Sequence, residues 1–225
     1  MLLDSLQPGE VVGVDTETNG FSPRLGARVT VVSMAWRSPD GVGHSLALPF
    51  GQGEGREQVW APEGAWEMVL EKLAMSRLAM FHAYFDHGML RAGTNRSEGA
   101  DLGAQVEWCG MVAEKAIVGG ASGGLKTTGE RYDLIGGRER EGESKILAWL
   151  EEHHMDRGDI HRIPWPIISP YARFDAILAF RLYEAQQSRL LLSPPALQAQ
   201  VAAKMAALKE KLASGVRVEI DMAVA

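Results

Sequence analysis

Three widely separated stretches carry polar side chains set among apolar neighbours. They are Asp15 and Glu17 in VVGVDTETNG, Asp86 in MFHAYFDHGML, and Tyr171 and Asp175 in PYARFDAILAFRLYE. On a strand, residues two apart share a face, so Asp15 and Glu17 project together and Thr16 projects opposite. On a helix, residues four apart share a face, so Tyr171 and Asp175 do too. A buried carboxylate is costly unless it is paired or coordinates a metal, and Asp175 is surrounded in sequence by Phe174, Ala176, Ile177 and Leu178. Oxygen ligands without His or Cys suit hard cations such as Mg²⁺ or Mn²⁺. Four carboxylates around two such ions make a centre for phosphodiester cleavage. One ion lowers the pKa of a water and aims it at phosphorus, and the other stabilises the leaving 3′ oxygen. A tyrosine hydroxyl beside the water would position it. Each stretch alone also has a plainer reading: a solvated strand end, a first-turn helix acid, and the polar edge of an amphipathic helix. The three together, in this order, favour the metal centre.

The elements that must position these groups follow from hydrophobic periodicity and turn chemistry. Residues 11–18, 28–36 and 44–50 read as strands, with SPDGVG between the second and third as a hairpin signal. Residues 62–75 open with proline and carry apolar residues at helical spacing. RLAMFH, 77–82, reads as a short buried strand, and YFDHGMLRAG as a helix ending near Gly93. Between 94 and 142 the pattern gives short helices, CGMVAEKAIV and LKTTGERY, interrupted by GGASGG and GGRERE, a mobile or ligand-shaped segment. A helix is predicted over 144–154, an extended proline-bounded connector over IPWPIISP, and a long helix over 170–192 starting at Pro170 and stopped by SPP. Another helix is predicted over 196–213. Three strands followed by alternating helix, strand and helices predict an α/β fold with a mixed sheet. Asp15 and Glu17 then lie at the C-terminal end of the first strand, where open α/β sheets hold ligands.

The three motifs resemble those of the DEDD superfamily of 3′–5′ exonucleases, in the subgroup with a tyrosine in its last motif. The likeness is greatest to the proofreading domain of family A DNA polymerases. VDTETNG is similar to the first motif, FHAYFDHGML to the second and YARFDAILAFRLYE to the third, across about residues 10–190. The resemblance implies a ribonuclease-H-like mixed β-sheet flanked by α-helices. It implies two divalent cations, Mg²⁺ or Mn²⁺, with Asp15, Glu17 and Asp175 holding one. Asp15 would bridge to the second, supported by Asp86, and Tyr171 would orient the nucleophilic water. Candidate substrate contacts are Thr16, Thr18, His82, Phe85, Lys126 and Arg173. His82 stands where the family often has asparagine and either contacts substrate or fills the strand end. Where the family's middle segment often reads Asp-Thr-Met, this chain has WCGMV without an acid, although GGLKTTGERY still resembles the Gly-Leu-Lys segment that follows. The implied partner is a single-stranded DNA 3′ end, with a polymerase domain or subunit as a further expectation. Residues 1–195 would form the exonuclease domain. Residues 196–225 would form a C-terminal helix and tail, in which GVRVEID looks like the start of a polymerase region. An RNase D-like exoribonuclease and a catalytically silent nucleic-acid-binding module are the alternatives.

Bulk properties bound these readings. Hydrophobic residues make up 46% of 225, enough for an ordinary core. Cys109 is the only cysteine, which excludes an internal disulfide and fits a reducing, cytoplasmic setting; the resemblance to the exonucleases implies a bacterial or phage-infected cell with nucleoid association. No run of about 18 apolar residues predicts a membrane span, and MLLDSLQPGE lacks the features of a signal peptide. A net charge of −6 argues against broad nonspecific nucleic-acid binding, unless the excess carboxylates are metal ligands. GGASGGLKT nearly matches a phosphate loop, but Leu125 stands between Gly124 and Lys126. His153, His154 and His161 match no common zinc spacing. Arg24, Arg28, Lys126, Arg131 and Arg173 are either phosphate contacts or surface charges.

Overall fold

β-Branched and apolar residues dominate VVGVDTET, and Val11–Thr18 forms β1, the strand around which the sheet is built. The structure, a computed structural model, describes residues 2–120 and 123–214, apart from the side chains of residues 138 and 139. β2 (Val29–Arg37) and β3 (Gly43–Gln52) continue antiparallel, and the turn between them uses a left-handed Gly41 with φ of 84°. The two-residue β4 (Val59–Trp60) closes that edge. Helix α1 (Ala65–Ala74) carries the chain to β5 (Arg77–Met80), which pairs parallel with β1. Helix α2 (Ala83–Ala92) leads on to β6 (Val106–Cys109), parallel to β5. The order β4-β3-β2-β1-β5-β6 is followed by α3 (Gly110–Val118), α4 (Leu125–Arg131), α5 (Gly137–Glu152), α6 (Trp165–Leu191) and α7 (Pro195–Ala213). This is an α/β fold, a six-stranded mixed sheet flanked by helices, and it is consistent with the ribonuclease-H-like architecture.

The period-2 alternation of β1 divides the molecule into two layers. Val12 and Val14 join Met34, Trp36, Leu78 and Met80 in a core covered by Trp66, Val69 and Leu73 of α1 and Met89 and Leu90 of α2. The opposite face meets α6, where Ala35 packs with Ala176 and Phe180. Gly13 makes that contact possible. A Cβ there would lie 2.5 Å from the Ala176 carbonyl oxygen and 2.6 Å from Phe180 Cβ, so glycine lets α6 lie directly on β1.

Several expectations are corrected. IPWPIISP is not an extended connector, because α6 begins at Trp165 and Pro170 lies inside it. Pro166 sits in the first turn, where no backbone donor is needed. Pro170 forgoes one bond, yet Ile168 and Ala172, both fully buried, hold the turn in place. Helix α5 starts at Gly137 rather than 144; Arg140, Glu141 and Lys145 lie on an exposed helical face, with a Lys145–Glu141 pair at 2.8 Å. Strands β4 and β6 were not expected from the sequence; each is too short to show a period. Val201, Leu208 and Leu212 of α7 are buried, and a Cβ on Gly103 would lie 2.7 Å from the Leu212 backbone. The segment VRVEID lies outside the described residues. Among the described residues no helix is long and apolar enough to cross a membrane.

Candidate metal centre

Strand β5 stops at Met80, opposite Val14, while β1 runs on to Thr18. The tip of β1 therefore has a free edge on that side, where α2 begins. Asp15 and Glu17 share the Gly13 face and point toward α6. Asp175 immediately precedes Ala176, whose carbonyl abuts Gly13. One carboxylate oxygen each from Asp15, Glu17 and Asp175 lies within 4.8 Å of the others. Glu17 and Asp175 are 8% and 6% exposed, and Asp15 is half-buried. This donor set is all oxygen, negatively charged and largely withdrawn from water, which suits one hard divalent cation.

Asp86 sits in the first turn of α2, only 3% exposed. Thr16, on the opposite face of β1 from the acids, donates its hydroxyl to Asp86 Oδ1 at 2.8 Å. Asp86 stands outside the tight triad but within its field. Burial, and then the charges of Asp15 and Glu17, push its carboxyl well above the usual range.

Burial also raises Asp15 to about 7, against the pull of Lys126. Glu17 is raised to about 8, first by burial and then by Asp15, with Lys126 and Arg157 opposing. Two cationic side chains thus answer the acids. Lys126 of α4 brings its ammonium into contact with Asp175 Oδ1 and over the rings of Tyr171, 4.5 Å away, and Phe174, 5.1 Å away. Burial lowers its pKa to about 8, while Asp15, Glu143 and Glu17 hold it up. Tyr171 is buried one turn before Asp175. Burial, then Glu17 and Asp15, raise its phenol above the ordinary value, so it remains a neutral hydroxyl.

The sequence did not single out Arg157 or Glu143. Arg157 opens a short 3-10 helix, Arg157–Arg162, fixed by a capping box. The Asp156 side chain accepts from Gly158 N at 2.7 Å, and Asp159 accepts from Asp156 N at 3.3 Å. The DRGD spacing made that box legible. The approach of Arg157 to Glu17, and its 3.0 Å bond to Glu143 Oε1, were not legible.

The remaining candidates fall in varied places. Thr18 donates to the Gly20 carbonyl at 2.7 Å. His82 is the N-cap of α2, its Nδ1 accepting from Phe85 N at 3.1 Å, and burial lowers the pKa of the ring. The Phe85 ring meets the His82 ring edge-on at 6.2 Å. Arg173 is exposed on the far side of α6 from Asp175 and donates to Ser45 Oγ at 3.1 Å. Arg131 pairs with Glu114 at 3.4 Å, Arg28 donates to its neighbour's carbonyl at 2.8 Å, and Arg24 is exposed. His153 stacks on Trp149 at 4.1 Å, and among the described residues the acidic triad is the only group of three or more ligand-type residues. No protein-family model matches the chain, and no match was found among curated proteins.

Proposed function

We propose that this protein is a metal-dependent 3′–5′ exonuclease that releases nucleoside monophosphates from single-stranded or frayed DNA ends, in proofreading or as a free-standing relative. The observation that carries this reading is the meeting of Asp15, Glu17 and Asp175 oxygens within 4.8 Å of one another. These groups belong to the same ordered motifs that resemble the DEDD exonucleases. Asp15, Glu17 and Asp175 would hold one cation, and Asp15 with Asp86 a second. Bound Mg²⁺ or Mn²⁺ would supply an activated water and charge neutralisation at the scissile phosphate and leaving 3′ oxygen. The chain itself contributes position. Tyr171, neutral and adjacent to the acids, donates or accepts a hydrogen bond that orients the water. Thr16 holds Asp86 by its hydroxyl. The close packing of α6 on Gly13 fixes Asp175 relative to β1. Bound cations also reverse the sign of the local field, so that a chain of net charge −6 can receive a polyanion at this point.

The test is a gel of 5′-labelled single-stranded DNA incubated with the protein and Mn²⁺. The expected result is a ladder shortening from the 3′ end that vanishes in chelator. An intact oligonucleotide, or a ladder indifferent to chelator, would overturn the reading. A matched RNA oligonucleotide run beside it separates a deoxyribonuclease from an RNase D-like enzyme.

A further inference from the structure

We infer that Lys126 is a built-in substitute cation that sets the affinity of the carboxylate centre for its activating metal. The inference rests on the metal-centre reading above. The Lys126 ammonium contacts Asp175 Oδ1 and lies over Tyr171 and Phe174, and its side chain is 20% exposed. A flexible surface lysine would stay hydrated; this one is directed inward by the docking of its helix.

The docking of α4 is firm. Glu114 of α3, fully buried, accepts from Tyr132 Oη at 2.9 Å, from Gln186 Nε2 at 3.0 Å and from Arg131 Nη1 at 3.4 Å. Gln186 of α6 also accepts from Trp108 Nε1 at 2.8 Å. A Cβ on Gly129 would lie 2.8 Å from Leu178, so α4 and α6 touch closely. The same packing that brings Asp175 to β1 therefore brings Lys126 to Asp175.

Three carboxylates gathered away from water repel one another, and a single ammonium offsets part of that repulsion. A divalent cation entering the same cluster must displace the ammonium or share carboxylates with it. Either way the charge of Lys126 subtracts from the attraction the metal feels. The flexible four-carbon stem lets the ammonium withdraw once the metal is seated. Arg157 is a poorer candidate for this role. Its side chain is 61% exposed and engaged with Glu143.

Removing the charge should strengthen metal binding while weakening the metal-free fold. Calorimetric titration of the whole chain with Mn²⁺ alone, without nucleic acid, measures the first effect, and melting in chelator the second. Lys126→Met should bind Mn²⁺ at least about tenfold more tightly and melt at a lower temperature in chelator. Lys126→Arg should stay within about threefold of the parent affinity. Lys126→Gln is the second neutral variant if Lys126→Met fails to fold. A merely structural lysine would give weaker metal binding together with the lower melting temperature. Unchanged or weaker Mn²⁺ binding in the neutral variants overturns the role of Lys126 and leaves the metal centre standing. Absence of Mn²⁺ binding in parent and variants alike removes both.

Discussion

Asp15 and Glu17 are unusual because their protonation belongs to the fold. Their pKa values rise from 3.8 to about 7 and from 4.5 to about 8, chiefly through burial. Between their ordinary and their raised values, the folded chain binds more protons than the unfolded one. Stability without metal therefore declines as pH rises from about 4 toward 8, and the full penalty is present above the raised values. In chelator the melting temperature should fall over that window. A cation held in the proposed centre would require the ionised pair, so saturating Mn²⁺ should flatten or reverse the trend. A melting temperature independent of pH in chelator would show that these carboxyls titrate normally. The counter-slope from Lys126, whose pKa is lowered from 10.5 to about 8, begins only at higher pH. At the same scale, Asp15→Ala and Asp175→Ala should reduce Mn²⁺-dependent degradation of a 3′-labelled oligonucleotide to the metal-free background. Tyr171→Phe should slow it by about a hundredfold with DNA binding retained, the usual size of a lost proton-handling or positioning group. Full rates in Tyr171→Phe would remove the phenol from the mechanism.

The element that decides the site is α6 lying on β1. Its register is set by Gly13, whose missing side chain lets the Ala176 backbone approach within contact distance. Gly13→Ala should force the two apart and cost roughly 1–3 kcal/mol, as overpacking does. Because Asp175 rides on the same turn, the variant should also bind Mn²⁺ more weakly even where it remains folded. Urea unfolding and metal titration of one preparation would check both effects. Normal stability with normal metal affinity would mean that the helix does not fix the acid. β1 itself was legible from its apolar, β-branched run, and the period of two along a strand placed Thr16 opposite the acids. The partner of Thr16 was not, since Asp86 reaches it only because β5 ends early and leaves the tip of β1 open. The extension of α6 through Pro170 was hidden for a related reason. The local signal for a break at proline was overridden by burial of Ile168 and Ala172.

For the molecule as a whole, α7 is part of the packing around the sheet. It buries Val201, Leu208 and Leu212, and its end lies against Gly103 just before β6. Each fully buried side chain of this kind is worth about 1.5–3 kcal/mol. Trp108 packs beside Val201, so a chain ended at Leu192 should melt well below the 225-residue protein, with its summed tryptophan emission shifted toward that of a solvated indole. Equal melting temperatures would show that the sheet is stable without this helix.

The sequence by itself determined what acts over a few residues. It set the paired projection of Asp15 and Glu17, the shared face of Tyr171 and Asp175, most strands and helices, and an oxygen-only donor set suited to hard cations. Strand and helix periods are local properties of the backbone, so these were readable in the residues. Only the tertiary structure decided that Asp175 meets the tip of β1, that Asp86 stands just outside the triad tied to Thr16, and that Lys126 reaches Asp175. Those meetings depend on how closely helices can approach the sheet. That distance is governed by side-chain volume at contacts such as Gly13 with Ala176 and Gly129 with Leu178, between residues far apart in the chain.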